Sequence, residues 1–167
     1  MTIYGHIEPY ELEELVYEKL IEIGITEKSY PINPFEIITR EGIILQEVPM
    51  DNDNIKGMLV HGPNGTGILI NAKRSLQSKR FIGMHELSHH WFHPHETKTV
   101  CFEKYSKTHS NIEWQANNAA VYALMPIKLM RHLYASCDGD INYMCDYFSV
   151  SRKSMKYRLN ELGLIKE

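Results

Sequence analysis

Cysteine is scarce in these 167 residues: Cys101, Cys137 and Cys145 form no C-x-x-C pair, and their number is odd. They read as reduced thiols of a cytosolic protein, packed rather than bridged. No apolar run approaches the ~20 residues that cross a bilayer. The opening MTIYGHIEPYELEE lacks the charged-then-apolar layout of a secretory leader. A cytoplasmic protein is expected, with no membrane partner. Neither charge sign dominates: 18 basic residues face 21 acidic ones, for a net charge of −3. That argues against a chain-wide attraction to nucleic acid or anionic lipid. Repeats and low-complexity tracts are missing too. The remainder is ordinary for a globular protein, 43% hydrophobic and 23% charged, and long enough for one domain with a small helical appendage.

Apolar periodicity predicts a helix over 9–23, started by Pro9 and stopped by Gly24, and a short one over 34–41 before Gly42. Strands are expected at 43–48, 56–60 and 67–71, the last two forming a hairpin around the turn-rich HGPNGT. A helix over 75–93 is closed by Pro94, and 95–109 reads as loop. Further helices run over 110–124 and from Pro126, and two short ones close the chain. The expected class is α+β: mostly helical, with about three strands. The expected division is a main domain, 1–136, carrying a helical tail, 137–167.

Within FIGMHELSHHWFH, residues His85, Glu86 and His89 spell H-E-x-x-H. On a helix, positions i and i+4 share a face, so both imidazoles can reach one ion. Glu86 is then placed to take a proton from a water on that ion. A core helix whose histidines only hydrogen-bond would show the same letters, but the apolar frame of Phe81, Ile82, Met84, Leu87, Trp91 and Phe92 is where zinc proteases carry such ligands. A catalytic zinc takes a third protein ligand. His93 lies eight residues from His85, about 12 Å along the axis, too far to share an ion with both histidines. His95 has the spacing of the metzincin pattern, although Phe92 stands where that pattern turns on glycine. Glu113 would sit in the first turn of the 110–124 helix, above a face that includes Ala116 and Ala120. Ser110-x-x-Glu113 is equally a capping box. Spacing alone leaves the third ligand open.

The run RFIGMHELSHHWFH, then IEWQANNAAVYALMP, then DYFSVSRKSMKYRLNELGLI resembles the ImmA/IrrE family of metallopeptidases, over roughly residues 30 to 165. The resemblance implies a zincin-like active-site helix, with His85, His89 and Glu113 as zinc ligands and Glu86 as catalytic base. Ser88 departs from the family's usual glycine. It further implies a zinc endopeptidase acting through metal-bound water. The implied substrate is a helix-turn-helix repressor whose cleavage derepresses mobile-element, phage or stress genes. The ligand types also suit Mn2+ or Fe2+. Substrate contacts are expected along the strand Gly67, Ile68, Leu69 and Ile70, if it is a free sheet edge, and at Tyr105 and His109 as oxyanion donors.

The tail supports a rival reading. Asp146 to Ser151 followed by 152–162 has the form of a helix-turn-helix, with Ser151 as N-cap, Met155, Leu159 and Leu162 inward, and Arg152, Lys153, Lys156 and Arg158 as a basic outer face. The alternative is thus a DNA-binding regulator whose metal site is structural or vestigial. A tail simply packed on the peptidase is the plainer expectation.

Overall fold

The computed structural model describes residues 2–3, 5–94, 98–102 (backbone) and 111–166. Helix α1 (Pro9–Glu22) has proline in its first turn, a reciprocal Glu8/Glu11 capping box, and Leu12, Val16 and Leu20 buried at four-residue spacing. Helix α2 (Pro34–Arg40) is capped by the Asn33 side chain, which accepts from the Phe35 amide. Strands β1 (Ile44–Val48), β2 (Ile55–Gly62) and β3 (Gly65–Asn71) follow. The hairpin is tighter than its letters imply. Gly62 pairs with Gly65, leaving only Pro63 and Asn64 in the turn, and Gly65 takes φ +124 on the exit.

Helix α3 (Leu76–Phe92) starts at Ser75, whose hydroxyl accepts from the Ser78 amide. Strand β4 (Lys98–Phe102) lies in the stretch expected to be loop. Five residues are too few to display an alternating pattern, and pairing with β2 supplies the order that local sequence does not. The chain continues as α4 (Asn111–Leu124), α5 (Ile127–Ser136), α6 (Ile141–Phe148) and α7 (Arg152–Glu161). The α+β class with a small sheet holds; the sheet has the three expected strands plus β4.

The strand order is β1-β3-β2-β4, with β1 parallel to β3 and the remaining pairs antiparallel. This corrects the expectation for Gly67, Ile68, Leu69 and Ile70. Strand β3 is hydrogen-bonded to β1 on one side and β2 on the other, so it has no free row of backbone groups for a substrate strand. Among the described residues the outer strands are β1 and β4. Leu59, Ile68 and Ile70 are fully buried in the core with Ile82, Met84 and Leu87 of α3. Ala116, Ala119, Ala120 and Ala123 are likewise fully buried on α4, and their small side chains let α4 approach α3 closely.

The tail belongs to the same core. Met144, Phe148, Val150, Met155 and Leu159 join the apolar cluster that contains Leu12 and Ile82. Ser149, at φ +53, makes the left-handed turn between α6 and α7, and Ser151 caps α7. Arg158 is not part of a basic outer face. It is 1% exposed, donates to the Met125 carbonyl, pairs with Glu13 and Glu161, and lies over the Tyr122 ring. A side chain three residues from Met155 and one from Leu159 turns with them into the core, and two carboxylates compensate its burial. Arg80, on α3, reaches the same region, donating to the carbonyls of Ile32, Phe148 and Ser149. Cys137 and Cys145 pack half-buried against the core as free thiols. No helix among the described residues is long and apolar enough to cross a membrane.

Candidate metal centre

Helix α3 presents His85 and His89 one turn apart, both fully buried. Their Nε2 atoms lie 3.2 Å from each other. Helix α4 brings Glu113, in its first turn, to the same point: Oε2 is 3.5 Å from His85 Nε2, and Oε1 is 3.3 Å from His89 Nε2. Two nitrogens and a carboxylate thus converge on one small volume. Ligands 2.0–2.2 Å from a tetrahedral zinc are separated by about 3.3–3.6 Å, which matches these spacings. The donor set fits an ion.

The protonation states fit as well. Burial is the largest influence on His89 and pushes its pKa down to about 4, against the opposing pull of Glu113, so the imidazole is neutral at pH 7. For Glu113, burial works to raise the pKa, but hydrogen bonds and attraction from the protonated forms of His85 and His89 outweigh it and hold the carboxyl well below its ordinary range. Neutral imidazole and ionised carboxylate are the forms that bind metal.

A chain of side chains also fixes the His89 tautomer. The Gln115 amide nitrogen donates to the Gly5 carbonyl at 2.7 Å, which leaves its Oε1 to accept from His93 Nε2 at 2.8 Å. His93 Nδ1 is then the acceptor facing His89 Nδ1 at 3.1 Å, so His89 carries its proton on Nδ1 and its lone pair on Nε2. His93 therefore orients His89 and stands outside the three-donor cluster. Gln115 carries no motif that marks it in the sequence. Gln115→Leu is expected to lower metal affinity about 10–100-fold; unchanged affinity in a chelator competition would remove this role.

In metal-free protein the same burial predicts acid sensitivity. His89 binds a proton in the unfolded chain below its ordinary 6.5 but in the folded chain only below about 4. Its stabilising contribution is therefore complete above pH 6.5 and declines as pH falls toward 4. Between pH 7 and 5 the loss is on the order of 2 kcal/mol, readable as a shift in urea midpoint. Glu113 acts with the same sign at still lower pH.

Glu86 is fully buried beside His85. Its carboxylate runs past Gly57 of β2, where an added Cβ would lie 3.6 Å from Glu86 Oε1 and only 2.3 Å from Ile82 Cγ2. The absence of a side chain at Gly57 lets α3 lie against the sheet at this level. The β2–β4 register shifts between Ile55 and Gly57. A glycine inside a strand was the available signal for such an approach. Ser88 is absorbed harmlessly: its hydroxyl donates to the Met84 carbonyl at 2.8 Å, within the helix. His95, Tyr105, His109 and Ser110 lie outside the described residues, as does the Cys101 side chain.

Helix, sheet and cluster together define an α+β protein with a three-donor candidate metal centre. Residues 38–160, well over half the chain, match the peptidase family M78, described as the IrrE N-terminal-like domain. The chain belongs to that family. Its fold is similar to that of a Mycobacterium tuberculosis transcriptional regulator of solved structure, with a TM-score of 0.65 at 16% identity. The match covers 90% of this chain and 46% of the regulator, so the chain spans about half the length of that protein. No curated protein matches it.

Proposed function

We propose that the protein is a metal-dependent endopeptidase. The observation that carries this is the convergence of His85, His89 and Glu113 at 3.2–3.5 Å beside a buried Glu86. His85 and His89 Nε2 and the Glu113 carboxylate would hold the ion. Two imidazoles and a carboxylate favour zinc and also suit manganese or iron. When bound, such an ion supplies Lewis acidity to the scissile carbonyl and lowers the pKa of water. Glu86 accepts the proton of the attacking water and returns it to the departing amine. The Gln115–His93 pair keeps His89 in its donor tautomer throughout.

The substrate reading is a helix-turn-helix repressor whose cleavage derepresses mobile-element or stress genes, inside the cytoplasm. It draws on the family resemblance and on the similar fold of a protein described as a transcriptional regulator. The test is incubation of zinc-loaded protein with helix-turn-helix repressors encoded beside its gene, followed by mass spectrometry of new termini. New termini with wild type and none with Glu86→Gln support the reading; none with either would sink it.

One observation favours a second reading. Helices α6 and α7 flank a tight turn, as in DNA-binding modules. Burial of Arg158 leaves Arg152 and Lys153 exposed on α7, a thin basic surface. A gel shift in about 50 mM salt, where phosphate contacts are strongest, decides: no retardation removes DNA binding.

A further inference from the structure

The metal centre sits at one end of α4, and a groove of about 540 Å3 opens at the other. Tyr122 in its wall is nine residues from Glu113, about 14 Å along the helix. The groove runs between α1, residues 25–30 and the start of α5. Its floor is apolar, formed by Val16, Leu20, Ile25, Tyr30, Tyr122 and Ile127. Its rim is acidic. Glu14, Glu18 and Glu27 are exposed and make no ion pair among the described residues. Glu13 is already bound to Arg158, and the rim's lysine, Lys128, lies over the Tyr17 ring.

On α1, Glu14, Tyr17, Glu18 and Ile21 stand at i, i+3, i+4 and i+7 and so share one face. Tyr17, which lines the groove, and Ile21, one turn further along the same face, are each 46% exposed. An apolar trough of this size, edged by three carboxylates that make no ion pair among the described residues against one lysine, complements a helix with one apolar stripe and basic flanks.

We propose that this groove docks a basic amphipathic helix of a partner protein, its aliphatic side chains on the floor and its Lys or Arg residues on Glu14, Glu18 and Glu27. None of these residues belongs to the metal centre, so the proposal stands or falls apart from the peptidase reading.

The test is fluorescence anisotropy with the full chain and a fluorescein-labelled 15-residue helical peptide. The peptide carries Leu at i, i+4 and i+7 and Lys or Arg elsewhere. Saturable binding is expected, weakened about tenfold by Glu14→Lys/Glu18→Lys/Glu27→Lys through loss of three exposed pairs. The control Glu36→Lys/Asp51→Lys/Asp146→Lys changes net charge equally and should alter affinity less than twofold. On the peptide side, which cannot disturb folding of the protein, Leu→Ser and Lys/Arg→Glu versions should each bind at least tenfold more weakly. Equal weakening by both protein variants, or indifference to the peptide's leucines, overturns the proposal. So does an absence of saturable binding. Sedimentation showing a dimer that the groove variant alone dissolves would overturn it in favour of a second copy of this chain.

Discussion

Glu86→Gln is expected to keep one ion per chain while peptide turnover falls about 10²–10⁴-fold. Glutamine preserves the shape of the side chain, so the space beside Gly57 and Ile82 stays filled. The donors His85, His89 and Glu113 are untouched. What disappears is the carboxylate proposed to accept the proton, and an amide cannot take its place. Because Glu86 is fully buried, replacing its carboxyl with a neutral amide should leave the melting temperature at or above that of wild type. Metal stoichiometry, melting and turnover measured on the same preparation separate the chemistry from the scaffold. Wild-type turnover in the metal-loaded variant would end the general-base assignment.

Glu113→Ala should have the opposite signature: an intact fold and little metal. The carboxylate is the one donor of the three that comes from a different helix. Residues that merely orient a ligand are worth 10–100-fold in affinity, so loss of the ligand itself is expected to cost at least about 100-fold. Chelator competition reads this directly. The informative companion is His95→Ala, which tests the metzincin-like spacing. Retention of metal there, with loss in Glu113→Ala, assigns the third donor to α4. The reverse pattern would assign it to the segment after α3.

Much of this was legible in the sequence for reasons that can be stated locally. The i, i+4 histidines need only a helix, and Ser75 and the apolar frame provide one. Prolines and glycines set the ends of α1 and α2 because their effect is confined to a turn. The failures share another cause, which is distance along the chain. Whether β3 is an edge depends on β1 pairing with it in parallel, a contact no turn residue announces. Strand β4 exists through pairing with β2. Arg158 reads as surface charge until Glu13, far away in sequence, is known to lie beside it. Gln115 looks like any polar helix residue until Gly5 and His93 meet it on either side. Glu113 fell between the two cases, since its capping and ligand readings used the same letters.

The pairing of Arg158 with Glu13 joins positions 145 apart in the chain, and it constrains how such a chain can vary through descent. A lineage that replaced α6 and α7 with another helix pair would strand Glu13 beneath it, and a lineage that altered α1 would strand the arginine. The two ends of the sequence are therefore expected to change together: among relatives that keep arginine at the position of Arg158, acidic residues should persist at those of Glu13 and Glu161, and where the arginine gives way to an apolar residue the acids should go with it.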